Sequence, residues 1–358
     1  MTRPVQARIN LSALQHNFTL VKQAAPNSKV MAVIKADAYG HGIVPVAQAL
    51  ESANAFAVAS MEEALCLREA GIDKPIVLLE GVFGEAELQL ASQHQLQLVI
   101  HSETQISWLE KSQLKNKLSV WLKVDTGMHR LGVSVDKAQV LYDRLAASDC
   151  IHGKPGWLSH LACADEPQRP ETCQQITHFK TVVEGQEGER SLANSAGLLT
   201  RADTHYDWVR PGIMLYGSSP LVYGIDSPVP LKPVMTLTTE LIAVHSHKAG
   251  EAIGYGGNFV CPDDMRIGVA AIGYGDGYPR HASTGTPVLV NDQRCSLSGR
   301  VSMDMITVDL TRQPEARIGD PVVLWGDGLS VDEVAHHAGT ISYELFCGVT
   351  ARVKREYV

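Results

Sequence analysis

The stretch KVMAVIKADAYGHG (29–42) begins with an apolar run of β-forming residues, continues through a lysine and ends in a turn with two glycines. A short apolar run that ends at such a turn is typical of a buried strand in a parallel sheet. Longer amphipathic stretches separate it from seven similar runs before about residue 217. With KVMAVIK (29–35), the runs are AFAVAS (55–60), PIVLLE (75–80), LQLVIHS (96–102), LSVWLKVD (118–125), GWLSHLA (156–162), RSLANS (190–195) and YDWVRP (206–211). These eight runs predict an α/β fold, an N-terminal (β/α)8 barrel of the TIM type.

The amphipathic stretches between the runs predict helices. In MEEALCLREAG (61–71) the apolar residues fall on one face, and Gly71 is expected at the C-terminal end of the helix. A doubly wound open sheet is the competing architecture, since strand counting alone does not distinguish it from a barrel.

Four chemically active residue types lie at or just beyond the C-terminal ends of the predicted strands. They are Lys35, His160, Ser195 and Arg210. A single polar residue at a strand end is unremarkable, but four such residues favour a barrel, which places its chemistry at this end.

The sequence pattern changes beyond about residue 230. Alternating segments such as VMTLTTELIAVHS (234–246) and RIGVAAIGYG (266–275) predict strands, and only VDEVAHHAG (331–339) reads clearly as a helix. Four prolines in SSPLVYGIDSPVPLKP (218–233) mark the boundary. We therefore predict a barrel domain over residues 1–230 and a mostly β C-terminal domain over residues 231–358.

Composition excludes several classes of protein. The chain has 358 residues, 45% of them hydrophobic, which is incompatible with disorder. A formal net charge of −8 with dispersed Lys and Arg argues against nucleic acid as a partner. MTRPVQARINLSALQHN lacks the apolar core of a signal peptide, and no apolar stretch approaches the roughly 20 residues that cross a bilayer, so we expect a cytoplasmic protein with no membrane segment. Seven scattered cysteines without metal-ligand spacing predict reduced thiols and no metal site.

A lysine at the end of a barrel strand points to imine chemistry. Lys35 is expected to face the barrel mouth, where a neutral amine can attack a carbonyl carbon. A lone lysine at a strand end is more often structural or solvated, so its interpretation depends on the motifs that accompany it.

These motifs occur in both predicted domains. They are VWLKVDTGMHRLG (120–132), LSHLACAD (158–165), LANSAG (192–197), DWVRPGIMLYG (207–217), IGYGGNF (253–259), GYGDGYPR (273–280), GRVSMDM (299–305) and SYELFCGVTARV (342–353). At these residues, over essentially its whole length, the chain resembles the alanine racemases, which bind pyridoxal 5′-phosphate (PLP) between a barrel and a β domain. The resemblance implies racemisation of L- and D-alanine, which supplies D-alanine for peptidoglycan precursors or degrades it.

The resemblance also implies a set of cofactor contacts. Lys35 would bind PLP covalently, and Arg210 would hydrogen-bond the pyridine nitrogen with His160 behind it. Because arginine stays protonated, the ring nitrogen would carry no proton, and the cofactor would be a weaker electron sink. The implied phosphate contacts are Tyr39, Ser195, Gly212, Ile213 and Tyr343.

Two bases on opposite faces of the substrate would perform the racemisation. The resemblance assigns these roles to Lys35 and to Tyr255, and Tyr255 would come from the second subunit of a homodimer. Arg130 and the partner's Met303 would hold the substrate carboxylate, and Lys123 would be carbamylated beside Arg130. Three further residues, Met128, Tyr274 and Asp304, lie in family motifs near the site.

Three alternatives stay open at this point. A decarboxylase of the same architecture would need an acidic group at the pyridine nitrogen, where this chain has Arg210, and a cysteine over the cofactor, for which Cys347 is the nearest candidate. A PLP carrier protein would resemble only the first domain. A broad-specificity racemase would share the whole fold and differ in a wider pocket.

Overall fold

A closed barrel of eight parallel strands forms the first part of the chain in the computed structural model, which describes residues 3–358. Each strand pairs with the next along the chain, and Trp208–Val209 pairs with Lys29–Val33 to close the ring. The strands are Lys29–Val33, Ala55–Val58, Ile76–Leu78, Gln97–Ile100, Val120–Asp125, Gly156–Leu158, Arg190–Ser191 and Trp208–Val209. All eight predicted strands are present, so the barrel prediction is confirmed and the open sheet is excluded.

Helices surround the barrel because each buries one apolar face against the strands. They are Leu11–Ala24, Ile43–Ala49, Met61–Glu69, Glu87–Gln93, Glu103–Lys111, Ala138–Ala147, Pro170–Val183 and Ser195–Thr200. In the helix Met61–Glu69, Ser60 and Glu63 form a reciprocal capping box, and Gly71 follows the C-cap with φ of +78°. Within residues 3–358 the structure contains no helix that is both long and apolar enough to span a membrane.

The second part of the chain is mostly β, as predicted. Six antiparallel strands close on themselves, and the long strand Met235–His247 pairs with both Met265–Ala270 and Pro321–Trp325. The other three are Pro287–Val290, Gln293–Leu297 and Ile306–Asp309. The short strands Ala252–Ile253 and Phe259–Val260 form a separate hairpin. In the first domain, the short strand Val133–Ser134 pairs with the end of the barrel strand Val120–Asp125.

Two elements of this part differ from the sequence analysis. The helix Val331–His337 is present, but a second helix, Ser342–Gly348, follows it, so the expectation of a single clear helix was wrong. The N-terminal strand Gln6–Ile9 lies in the second sheet, between Met235–Thr238 and the final strand Lys354–Tyr357. Both ends of the described chain therefore meet in the same sheet.

Candidate active site

A cavity of about 950 Å³ opens at the C-terminal ends of the barrel strands. Its walls come from the strand ends of the barrel and from the helix Ser342–Gly348 of the second domain. Among its lining residues are ten of the predicted site residues: Lys35, Tyr39, Lys123, Arg130, His160, Ser195, Arg210, Gly212, Ile213 and Tyr343. Residues that are more than 300 positions apart in the sequence therefore line one cavity.

Lys35 is followed by four residues in the left-handed helical conformation. Ala36, Asp37, Ala38 and Tyr39 all have φ near +53°. This conformation costs L-residues other than glycine about 1–2 kcal/mol each, so the surrounding structure must hold the turn in place. The turn brings Lys35 and Tyr39 to the same cavity.

Two carboxylates of the first domain hold the left-handed turn. Glu63 accepts hydrogen bonds from the N–H groups of Ala36 at 2.6 Å and Ala59 at 2.8 Å. The Asp37 carboxylate accepts the N–H of Ile43 at 2.8 Å. Glu63 thus fixes the peptide directly after Lys35 and links it to the neighbouring strand.

The second domain closes over the same turn. Arg355 Nε donates to the carbonyl oxygen of Gly40 at 2.7 Å. A Cβ atom at Gly40 would lie 2.2 Å from the carbonyl oxygen of Phe346, and one at Gly42 would lie 2.1 Å from the Tyr357 hydroxyl. Only glycine permits this close approach.

A buried aromatic cluster lies behind the turn, and the sequence analysis did not identify it. His41 Nδ1 lies 2.8 Å from the carbonyl oxygen of Tyr39, and the His41 ring packs against Tyr216 and Phe346. Burial lowers the pKa of His41 to about 4, so the ring is neutral near pH 7. The Tyr216 hydroxyl donates to the carbonyl oxygen of Val33 at 3.0 Å. The histidine in AYGHG could have been identified from the sequence, because a histidine between glycines in a turn at a strand end can hydrogen-bond to the backbone of that turn.

Hydroxyl and amide groups meet at one end of the cavity. The Gly212 N–H donates to Ser195 Oγ at 2.8 Å, and Ile213 begins a short helical turn. A Cβ atom at Gly212 would lie 2.6 Å from the Tyr39 hydroxyl, so glycine lets this hydroxyl approach the backbone. The ring of Tyr343 lies 5.8 Å from that of Tyr39. Burial raises the pKa of both phenols, which keeps them protonated as donors.

Arg210 is buried at the centre of the barrel mouth. Its Nη1 donates to Ser191 Oγ at 2.5 Å, and its Nη2 donates to the carbonyl oxygens of Ser159 at 2.5 Å and Leu192 at 3.2 Å. Burial lowers the pKa of Arg210 to about 9, which still leaves the guanidinium charged at neutral pH. Burial and the nearby cations, Arg210 first, hold the pKa of His160 well below its usual value, so His160 is a neutral neighbour. His160 Nδ1 lies 3.5 Å from Arg210 Nη2.

Lys123 lies among positive charges. Its side chain is buried, and burial together with Arg210, Arg130 and Lys35 lowers its pKa to about 8, against a smaller opposing effect of Glu80. Three cationic side chains therefore lie close to Lys123, where an anionic group would offset their charge.

The loop that carries Arg130 is organised by one carboxylate. Asp125 Oδ1 accepts the N–H groups of Gly127, Met128 and His129 at 3.0, 3.1 and 3.0 Å. This arrangement turns the chain at the end of the strand and places Arg130 and Met128 at the cavity wall.

The remaining predicted residues lie outside the cavity of their own chain. Tyr255 is 69% exposed, Met303 is 53% exposed and Tyr274 is 40% exposed. Their loops contact each other, since a Cβ atom at Gly299 would lie 3.1 Å from the carbonyl oxygen of Ile253. Large exposed side chains of this kind are typical of an interaction surface.

The described residues contain no group of three or more His, Cys, Asp or Glu side chains that could hold a metal ion. The cavity lining combines amines, guanidinium groups and hydroxyls with the carboxylates of Glu80, Asp165 and Asp332.

Comparison with known proteins gives one consistent result. Family models for the alanine racemase N-terminal domain and C-terminal domain match residues 9–220 and 234–357. The alanine racemase of Nitrosococcus oceani is 52% identical over 350 residues and covers 98% of both chains. That of Coxiella burnetii is 49% identical over 353 residues and covers 97% of both. The crystal structure of biosynthetic alanine racemase from Pseudomonas aeruginosa superposes with a TM-score of 0.97, at 47% identity and full coverage of both chains. The structure from Acinetobacter baumannii gives 0.91 at 38% identity, also over both full chains.

Proposed function

The chain belongs to the alanine racemase family over both of its domains, and we propose that it interconverts L- and D-alanine with PLP by a two-base mechanism. The observation that carries this proposal is the position of Lys35, directly before a restrained left-handed turn, in a cavity that it shares with Lys123, Arg130 and Arg210. Isomerase activity follows from the family, whereas the roles of individual residues are proposed here.

The residues around the cavity fit a cofactor with an anionic phosphate. Tyr39, Ser195 and Tyr343 offer hydroxyl donors, and Ile213 offers a backbone amide at the same end, next to Gly212, whose N–H is bonded to Ser195 Oγ. A dianion can be held by such groups without a lysine. Arg210, whose guanidinium has N–H groups beyond those bonded to the barrel, would reach the pyridine nitrogen.

PLP supplies, when bound, the electron-withdrawing group that makes the α-proton of alanine acidic. Lys35 Nζ would take this proton from one face of the substrate and return it there. Tyr255 Oη would do the same on the opposite face, which inverts the configuration when one base removes the proton and the other replaces it. Arg130 would bind the substrate carboxylate, and the restrained loop after Asp125 supports such a role.

The site is proposed to be complete only in a homodimer. Tyr255 and Met303 are exposed and do not line the cavity of their own chain. A second copy that presents these loops to the barrel mouth would supply the second base and cover two exposed apolar side chains. This arrangement would give the second domain of each chain a role in the site of its partner.

Lys123 is proposed to carry a carbamate. Its lowered pKa makes a neutral amine available at mildly alkaline pH, and the amine can then add carbon dioxide. The new negative charge would lie among the cations that lower this pKa.

We expect each native chain to be heavier by one carbon dioxide than the sum of its sequence mass and its bound PLP. The increment should disappear on acidification and after Lys123→Arg, as measured by intact mass spectrometry under non-denaturing conditions. Lys117→Arg, which changes an exposed lysine six residues earlier, is the control and should leave the increment in place. An unmodified mass at neutral pH in bicarbonate buffer would contradict the proposal.

The experiment that tests the function uses the PLP-loaded protein with L-alanine in deuterated water. D-Alanine with deuterium at Cα is expected, because each inversion delivers a solvent-derived proton from a base. Chiral chromatography with mass detection measures both properties in one sample. Deuterium exchange without inversion would remove Tyr255 from its role, and the absence of both would contradict racemisation. Cytoplasmic location and a contribution to peptidoglycan precursors stay predictions from the sequence.

A further inference from the structure

Two turns of the second domain lie against each other and present Tyr274 and Met303. The N–H of Tyr274 donates to the carbonyl oxygen of Ser302 at 3.0 Å, and that of Gly275 donates to the carbonyl oxygen of Met303 at 2.8 Å. A Cβ atom at Gly273 would lie 2.2 Å from the Ser302 carbonyl oxygen, so the two backbones are in close contact. We call residues 302–305 the Met303 turn.

A network of two carboxylates and two arginines lies beneath the Met303 turn. The Asp276 side chain is fully buried, and its Oδ2 accepts hydrogen bonds from Arg3 Nη2 at 2.6 Å and from the Gly273 N–H at 3.0 Å. Arg352 Nε lies 3.4 Å from Asp276 Oδ1. The negative charge of Asp276 is therefore balanced by two guanidinium groups from distant parts of the sequence.

The same two arginines reach the Met303 turn directly. Arg3 Nη2 donates to the carbonyl oxygen of Asp304 at 2.6 Å, and Arg352 Nη2 donates to Asp304 Oδ1 at 2.6 Å. Hydrogen bonds with a charged donor are stronger and more directional than neutral ones. Asp304 follows Met303 in the chain, so both arginines restrain the residue next to it.

Arg3 is itself held at a fixed point. The strand Gln6–Ile9 begins three residues later and is hydrogen-bonded on both sides, and Val5 is buried. The N-terminal segment therefore extends from the sheet to the Met303 turn.

We propose that Arg3 and Arg352 are positioning residues that set the Met303 turn for the substrate pocket of the partner subunit. This inference rests on the proposed function, in which Met303 contacts the substrate across a dimer interface. Asp276 acts as the anchor, because a buried carboxylate fixes the guanidinium groups that pair with it. Neither arginine touches the substrate in this scheme.

The first test compares two arginine variants of the PLP-loaded enzyme. Arg3→Met should raise the KM for L-alanine about fivefold and leave kcat within about twofold, since it loosens a substrate contact and spares the bases. Arg352→Met should raise KM further. The matched control is Arg8→Met, which removes an exposed ion pair with Asp327 at 2.6 Å, in the same strand region but away from the Met303 turn. Arg8→Met should leave KM unchanged.

A purely structural role would give a different result. It would lower the melting temperature and reduce PLP absorbance and kcat, with KM unchanged. That pattern, or equal KM values for Arg3→Met and Arg8→Met, would overturn the inference and leave the proposed racemase activity intact.

Hybrid dimers of differently tagged chains show whether Arg3 affects the KM of its own chain or that of the partner subunit. The first hybrid combines an Arg3→Met chain with a Lys35→Ala chain. Only the Arg3→Met chain has an active cavity, and this cavity receives its Met303 turn from the other chain, in which Arg3 is intact. KM should therefore be normal. The second hybrid combines an unchanged chain with an Arg3→Met, Lys35→Ala double variant. The unchanged chain has the only active cavity, and this cavity receives its Met303 turn from the variant chain, so KM should be raised. The reverse pattern would mean that Arg3 acts on the cavity of its own chain, which would contradict the dimeric site of the proposed function.

Discussion

Replacing Lys35 with alanine is expected to abolish covalent attachment of PLP and to reduce racemisation by more than about 10⁴-fold, because one residue supplies both the anchoring amine and one of the two bases. The absorbance band of the lysine-bound cofactor should be absent, while the fold should persist, since Lys35 lies at the cavity wall and not in the core. Absorbance spectroscopy and racemisation assays measure the two effects separately.

Lys29→Ala is the matched control for this variant. Lys29 begins the strand that leads to Lys35, and its exposed amine pairs with Glu189 at 2.6 Å on the far side of the barrel. The Lys29→Ala protein should bind PLP covalently and racemise alanine at an unchanged rate. A Lys35→Ala protein that still holds PLP covalently would place the imine on another lysine.

Replacing Tyr255 with phenylalanine should impair the two directions of proton removal unequally. The change removes one hydroxyl and keeps the ring, so the surface that Tyr255 presents is preserved. We expect proton abstraction from one enantiomer to fall by about 10²–10⁴-fold and abstraction from the other to change far less. Exchange of the α-proton for deuterium, followed from each pure enantiomer, measures the asymmetry.

Tyr142→Phe provides the comparison. It removes a hydroxyl that donates to the Glu187 carbonyl oxygen at 2.9 Å, outside the cavity. This variant should lose some stability and show no difference between enantiomers. Equal and mild losses for both enantiomers in Tyr255→Phe would mean that Tyr255 is not a base.

Much of the barrel was predictable because its strands are short, apolar and separated by amphipathic helices. The residues at the strand ends were predictable for the same reason, since a barrel directs them to one mouth. Tyr255 and Met303 were recognised only through motif resemblance, because no periodic pattern marks an exposed loop as part of a site.

Other features depend on contacts that no local pattern reveals. The left-handed turn after Lys35 consists of Ala, Asp, Ala and Tyr, none of which favours positive φ strongly, and its conformation is imposed by Glu63 and the second domain. The strand Gln6–Ile9 has its partners more than 200 residues away. The helix Ser342–Gly348 has only seven residues, too few for a clear amphipathic period.

The pairing of Gln6–Ile9 with Lys354–Tyr357 has a consequence for biosynthesis. A ribosome produces the first of these strands long before the second, so the early strand has no partner until Met235–His247 is made and only one until Lys354–Tyr357 follows. The segment that closes over the Lys35 turn, Arg355 and Tyr357 included, is also translated after all eight barrel strands. The contacts by which the second domain restrains the Lys35 turn therefore form only after the barrel strands have been made.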